Sequence, residues 1–70
     1  MQIVINGQPR EFANLAASAT LSDLVSTLDL KGDRVAIEHN GSIVSRTEWP
    51  QTAIQAGDKF EIVHFVGGGA

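Results

Sequence analysis

The chain has no cysteine among its 70 residues. That excludes disulfides, thiolate metal sites and cysteine nucleophiles together. Its two histidines, His39 and His64, stand too far apart in sequence to suggest a metal pair. No apolar run approaches the ~20 residues of a membrane span. The N-terminus has no basic segment followed by an apolar one, so no secretory signal is read and a cytoplasmic location is expected. Positive charge is sparse: Arg10, Lys31, Arg34, Arg46 and Lys59 are scattered through a chain of net charge −3. Without a basic stripe, nucleic acid is not an expected partner. Catalytic motifs are missing too. No serine sits in a nucleophile motif, and no glycine-rich loop leads into a helix with a lysine, so there is no phosphate cradle. No catalytic residue and no metal ligand is assigned. Glu38, Glu48, Asp58 and Glu61 read as solvated charges or contacts to a partner. His39, near a turn, is expected to be solvated. His64, in an apolar run, is expected to be packed and hydrogen-bonded.

What the chain does have is an unusual end. The apolar run Phe60 to Val66 stops at Gly67-Gly68-Gly69-Ala70. Glycine lacks a Cβ, resists ordering and lets another backbone approach closely. Such an end reads either as a frayed terminus or cloning scar, or as a tail that threads into a narrow slot on a partner. Residues 1–66 are read as one domain and 67–70 as a flexible tail. Four residues beyond Val66 reach roughly 13 Å when extended, enough to enter another protein's active site. In a domain without a site of its own, the terminal carboxylate is the chemically distinctive group left.

The rest of the sequence divides into short elements. Gln2-Ile3-Val4-Ile5 is β-rich, and Asn6-Gly7 is a strong signal for a type I′ hairpin turn. Gln8 to Phe12 returns as a second strand, with Pro9 suited to an edge. Ala13 to Ala19 is a weakly patterned connection of small residues. Thr20 with Asp23 three residues on resembles a capping box. Leu21, Leu24, Val25 and Leu28 form one apolar stripe at helical spacing, predicting a helix over Leu21 to Leu30 closed by Lys31 and Gly32. Arg34 to His39 is a third strand, Asn40-Gly41 a second hairpin turn, and Ser42-Ile43-Val44 a short strand. Ser45 to Gln51 is irregular or one helical turn, with Trp49 packed over the core edge and Ile54 as a further plug. Gly57-Asp58 turns into the last strand, Phe60 to Val66, apolar enough to be central. Hairpin, helix and further strands match an α+β fold of the ubiquitin-like β-grasp type. Its sheet is expected to be mixed and four- to five-stranded, with one main helix and with the last strand beside the first. A split ferredoxin-like unit fits less well, because it needs a second full helix.

Alternation then assigns the faces. With Ile3, Ile5, Phe60 and Ile62 toward the helix, Val4, Val63 and Phe65 point away. They are expected to form an apolar docking patch, or else to be covered by loops. Phe65 leads directly into the tail, so a partner gripping the patch would also receive the glycines.

These segments, taken in order, resemble the ThiS family of sulfur-carrier proteins, within the wider ThiS/MoaD ubiquitin-like superfamily. The likeness covers the whole chain and is densest at Val35-Ala36-Ile37-Glu38-His39-Asn40, Ile43-Val44-Ser45-Arg46, Trp49, Gly57-Asp58-Lys59-Phe60-Glu61-Ile62-Val63 and the glycine end. It implies a carrier rather than an enzyme, a monomer when free, with no bound cofactor. A ThiF-like adenylyltransferase would use MgATP to activate the C-terminal glycine carboxylate. Sulfur from a cysteine desulfurase persulfide would then leave a thiocarboxylate. A ThiG-like thiazole synthase would consume it in making the thiazole of thiamine. The diglycine of the family falls on Gly68-Gly69, which makes Gly69 the expected site and Ala70 an extra residue: trimmed, tolerated as the activated carboxylate itself, or the mark of an inactive or altered form. Ser45 stands where the family commonly has proline. A carrier serving a molybdopterin-type pathway, or a ubiquitin-like binding or modifier module, are the alternatives.

Overall fold

The computed structural model describes residues 1–65; Val66 and the expected tail, Gly67 to Ala70, lie outside the described residues. Five strands form one sheet: β1 (Gln2–Ile5), β2 (Gln8–Glu11), β3 (Val35–His39), β4 (Ser42–Val44) and β5 (Lys59–His64). Their order is β2-β1-β5-β3-β4. β1 and β5 run parallel and the other neighbours antiparallel. This is the mixed β-grasp sheet expected, with β5 at its centre and the Pro9 strand at its edge.

Both hairpins turn on Asn-Gly pairs. Asn6 and Gly7 sit at φ 50° and 81°, Asn40 and Gly41 at φ 51° and 91°, the left-handed conformations that a type I′ turn requires. Helix α1 (Leu21–Thr27) starts at a full capping box: Thr20 Oγ1 accepts from the Asp23 N–H, and Asp23 accepts from the Thr20 N–H. Leu21, Leu24 and Val25 are its buried face. The core they enter is completed by Ile3, Ile5, Val35, Ile37, Phe60 and Ile62 from one side of the sheet, and by Phe12, Leu15, Ala19, Trp49 and Ile54.

The helix stops three residues before the expected Leu30. Asp29 takes the left-handed conformation at φ 56°. The Asp29 N–H donates to the Ser26 carbonyl and the Leu30 N–H to the Val25 carbonyl, the paired bonds of a Schellman ending. Gly32 therefore does not close the helix. It opens a 3₁₀ turn, Gly32–Arg34, and packs under the tryptophan: a Cβ there would lie 3.3 Å from Trp49 Cζ3. Trp49 is held in a second 3₁₀ turn, Arg46–Gln51. It is 4% exposed and its Nε1–H donates to the Val44 carbonyl at 3.0 Å. It is thus a member of the core. Among the described residues, no helix is long and apolar enough to cross a membrane.

Candidate functional site

The chain leaves the domain at the end of β5, and the residues around that exit make up the candidate site. β5 alternates cleanly, with Phe60 and Ile62 buried and Lys59, Glu61 and Val63 exposed. Strand pairing ends at His64, so Phe65, expected to belong to the strand, lies just past it, but the Phe65 N–H still donates to the Arg34 carbonyl at 2.8 Å. The backbone is therefore anchored up to the point where the last residues begin.

On the β1 side the anchor is a side chain. β1 ends at Ile5, opposite Phe60. One residue later, Asn6 Oδ1 accepts the Ile62 N–H at 2.7 Å and Asn6 Nδ2 donates to the Ile62 carbonyl at 3.2 Å. The carboxamide carries a donor and an acceptor, so it replaces the missing strand residue. On the β3 side the other turn asparagine does similar work at the start of β5. Asn40 Oδ1 accepts the Lys59 N–H at 2.9 Å, and the Asn40 N–H donates to the Lys59 carbonyl.

The face of the sheet opposite the helix is open and carries exposed apolar side chains among its charges. Val63 is 58% exposed and Phe65 54%, as alternation predicts. Ile43, 76% exposed on β4, belongs to the same face and was missed because its strand is only three residues long. Val4 points to this face but is only partly exposed. The parallel register sets it beside Lys59, four residues along β5 from Val63. The expected Val4–Val63–Phe65 patch is therefore not contiguous: Ala36, across from Val63 on β3, is the nearer neighbour.

The two histidines exchange the environments expected of them. His39 is largely covered: its Nε2 lies 2.7 Å from Asp58 Oδ2, and its ring stacks on Phe60 at 4.8 Å between centroids. Burial works to raise the Asp58 pKa. The contacts from His39, from the Gln55 N–H and from Asn40 outweigh it and hold the carboxyl below its ordinary value of 3.8. This cluster fixes the turn that starts β5. His64, by contrast, is exposed, at the rim of a groove with Ile5, Asn6, Arg10, Leu28, Leu30 and Ile62. No group of three or more potential metal ligands exists among the described residues. The positions expected to carry the chemistry, Gly68 and Gly69, and their neighbours Gly67 and Ala70, lie outside the described residues.

Comparison with known proteins bears on the whole chain. The model of the ThiS family matches residues 3–69. A protein named thiazole synthase from Paramagnetospirillum magneticum is 43% identical over all of this chain, and another from Magnetococcus marinus is 39% identical. The chain spans about a fifth of the length of these two relatives, 21% and 20%. The sulfur carrier protein ThiS of Escherichia coli K12 is 33% identical, and the match covers 99% of this chain and 100% of that one. The crystal structure of the thiamine biosynthesis protein ThiS from Geobacter metallireducens superposes with a TM-score of 0.83 at 31% identity, covering 99% of this chain and 100% of that one.

Proposed function

Because the chain belongs to the ThiS family, we propose that it is a sulfur carrier for thiamine biosynthesis, a protein substrate passed between enzymes. The observation that carries the proposal is the extent of the family match, which runs from Ile3 through the diglycine to Gly69. Removal of whatever follows Gly69 exposes its carboxylate. In the partner adenylyltransferase a carboxylate oxygen attacks the α-phosphate of MgATP and expels pyrophosphate. The terminal sulfur of a persulfide attacks the acyl carbon and expels AMP. A thiol then attacks the inner sulfur of the resulting acyl disulfide, forming a disulfide and releasing the thiocarboxylate. Adenylation is needed because a carboxylate is a poor electrophile. The carrier itself binds no cofactor in this scheme.

The fold suits that role in two ways. Small residues at 67–69 fit a narrow active site; Val63 and Phe65 offer partner contacts just ahead of them, and Val4 a further one on the same face beside Lys59. A thiazole synthase is the proposed consumer of the sulfur, in keeping with the relatives of that name. The test is intact-mass spectrometry after incubation with the adenylyltransferase, ATP, a desulfurase and cysteine, on chains ending at Gly69 and at Ala70. One terminal oxygen should be exchanged for sulfur. No exchange on either chain refutes the proposal, and exchange only on the chain ending at Gly69 shows that Ala70 must first be removed.

A further inference from the structure

Two carboxylates face each other on the open side of the sheet. Glu38 on β3 is the register partner of Glu61 on β5, and Ile43 on β4 is the register partner of Glu38. Like charges directly opposite on neighbouring strands destabilise a sheet. The ion pairs of the described residues, at the N-terminal amine with Glu11 and at His39 with Asp58, relieve neither. Lys59 shares the face, but it sits two residues along β5 beside Val4 and forms no ion pair with either glutamate. The glutamates border a shallow depression whose other walls are Ala36, Ile37, Ile43 and Val63. So the exposed apolar face carries, near its middle, a small hollow with apolar walls and two unpaired negative charges.

We infer that this hollow receives an arginine side chain from the protein that docks on the face, an apolar surface bearing one guanidinium. Register partners of this kind lie ~5.5 Å apart at their Cα atoms. A planar guanidinium with five donors can bridge two such carboxylates, whereas an ammonium is a point charge. The methylene stem lies against Ala36, Ile43 and Val63, as long cationic side chains do on apolar surfaces. The net charge of −3 favours a cationic counterpart. Pairing then happens only in the complex, and the free chain bears the repulsion.

This inference rests on the docking role proposed above, and its test separates the two. The affinity of the adenylyltransferase and of the thiazole synthase for the full chain is measured by calorimetry, for wild type and for Glu38→Gln/Glu61→Gln, with melting curves alongside. The double variant should bind at least one of them about 10- to 100-fold more weakly, while its Tm stays level or rises. Unchanged affinity for both enzymes overturns the inference and leaves the carrier reading standing. Weaker binding together with a lower Tm also overturns it, because the glutamates would then be supporting the fold. Wild-type chain that binds neither enzyme overturns both readings.

Discussion

Asn6 makes the most exacting test of how the fold holds the exit strand, because it does two separable jobs. Its backbone sits at φ 50°, a conformation that costs an alanine about 1–2 kcal/mol. Its side chain makes two hydrogen bonds to the backbone of Ile62, at 2.7 and 3.2 Å, each with a net worth of about 1 kcal/mol. Asn6→Gly keeps the left-handed turn and loses both bonds. It adds about 0.5–1 kcal/mol of chain entropy, so a loss of about 2–3 kcal/mol is expected. Asn6→Ala adds the conformational cost and should lose about 3–4 kcal/mol. Asn6→Asp keeps the turn and the acceptor but loses the donor, and should fall between wild type and glycine. Urea unfolding followed by circular dichroism gives the three free energies. A loss of 2 kcal/mol corresponds to about 8–16 °C in Tm for a domain of this size. Amide exchange at Ile62 should accelerate in the same order. An Asn6→Gly chain within about 0.5 kcal/mol of wild type would refute the side-chain bridge. Equal losses for alanine and glycine would refute the conformational term.

Three further outcomes are expected. The Asp58 carboxyl is held below 3.8 in the fold, so its stabilising effect is present above that pH and is lost as pH falls below it. The stability difference between wild type and Asp58→Asn should therefore shrink on acidification, and a constant difference from about pH 6 to pH 2.5 would contradict the assignment. Trp49→Phe removes the donor to Val44 and part of a buried ring, and should cost about 2–3 kcal/mol in urea unfolding. Ile43→Ser, on a residue 76% exposed, should change stability by no more than about 0.5 kcal/mol while weakening the chain's binding to the adenylyltransferase. Unchanged binding would remove β4 from the docking face.

What the sequence disclosed and what it hid follow from the range of the interactions. The Asn6-Gly7 and Asn40-Gly41 turns and the Thr20–Asp23 cap were legible because each is chemistry within a few residues. The centrality of β5 was legible because only a strand flanked on both edges tolerates so apolar a run. The helix end was misplaced because Gly32 is the better left-handed residue, yet Asp29 occupies that conformation. Gly32 is instead needed for its closeness to Trp49, a tertiary contact. His39 was misjudged because its partner Asp58 is 19 residues away. His64 was misjudged because alternation names a face without saying how far the helix covers it. Seven helical residues span about 10 Å, whereas the six of β5 span about 20 Å. His64 is the last residue of the strand, at the rim of a groove with Leu28 and Leu30 and exposed there. Val4 shows the same limit: period-two patterning gives the face, and register gives the neighbours.

The large side chains that are almost wholly buried all lie on one side. Ile3, Ile37 and Phe60 come from the covered face of the sheet, Leu21 and Leu24 from α1, and Ile54 from the connection beneath it. The opposite face holds the half- to three-quarters-exposed Ile43, Val63 and Phe65 and the paired glutamates. Burial drives folding roughly in proportion to the apolar area removed from water, so that face contributes little to stability and is free to carry features that a fold alone would not favour. The two asparagine bridges matter for the same reason. They fix β5 from both edges by backbone contacts, so its outward side chains are not needed to hold it in place. Stability and docking are thereby assigned to different faces of one strand. A variant on the open face that unfolds the chain would contradict that division, and one that only loses a partner would support it.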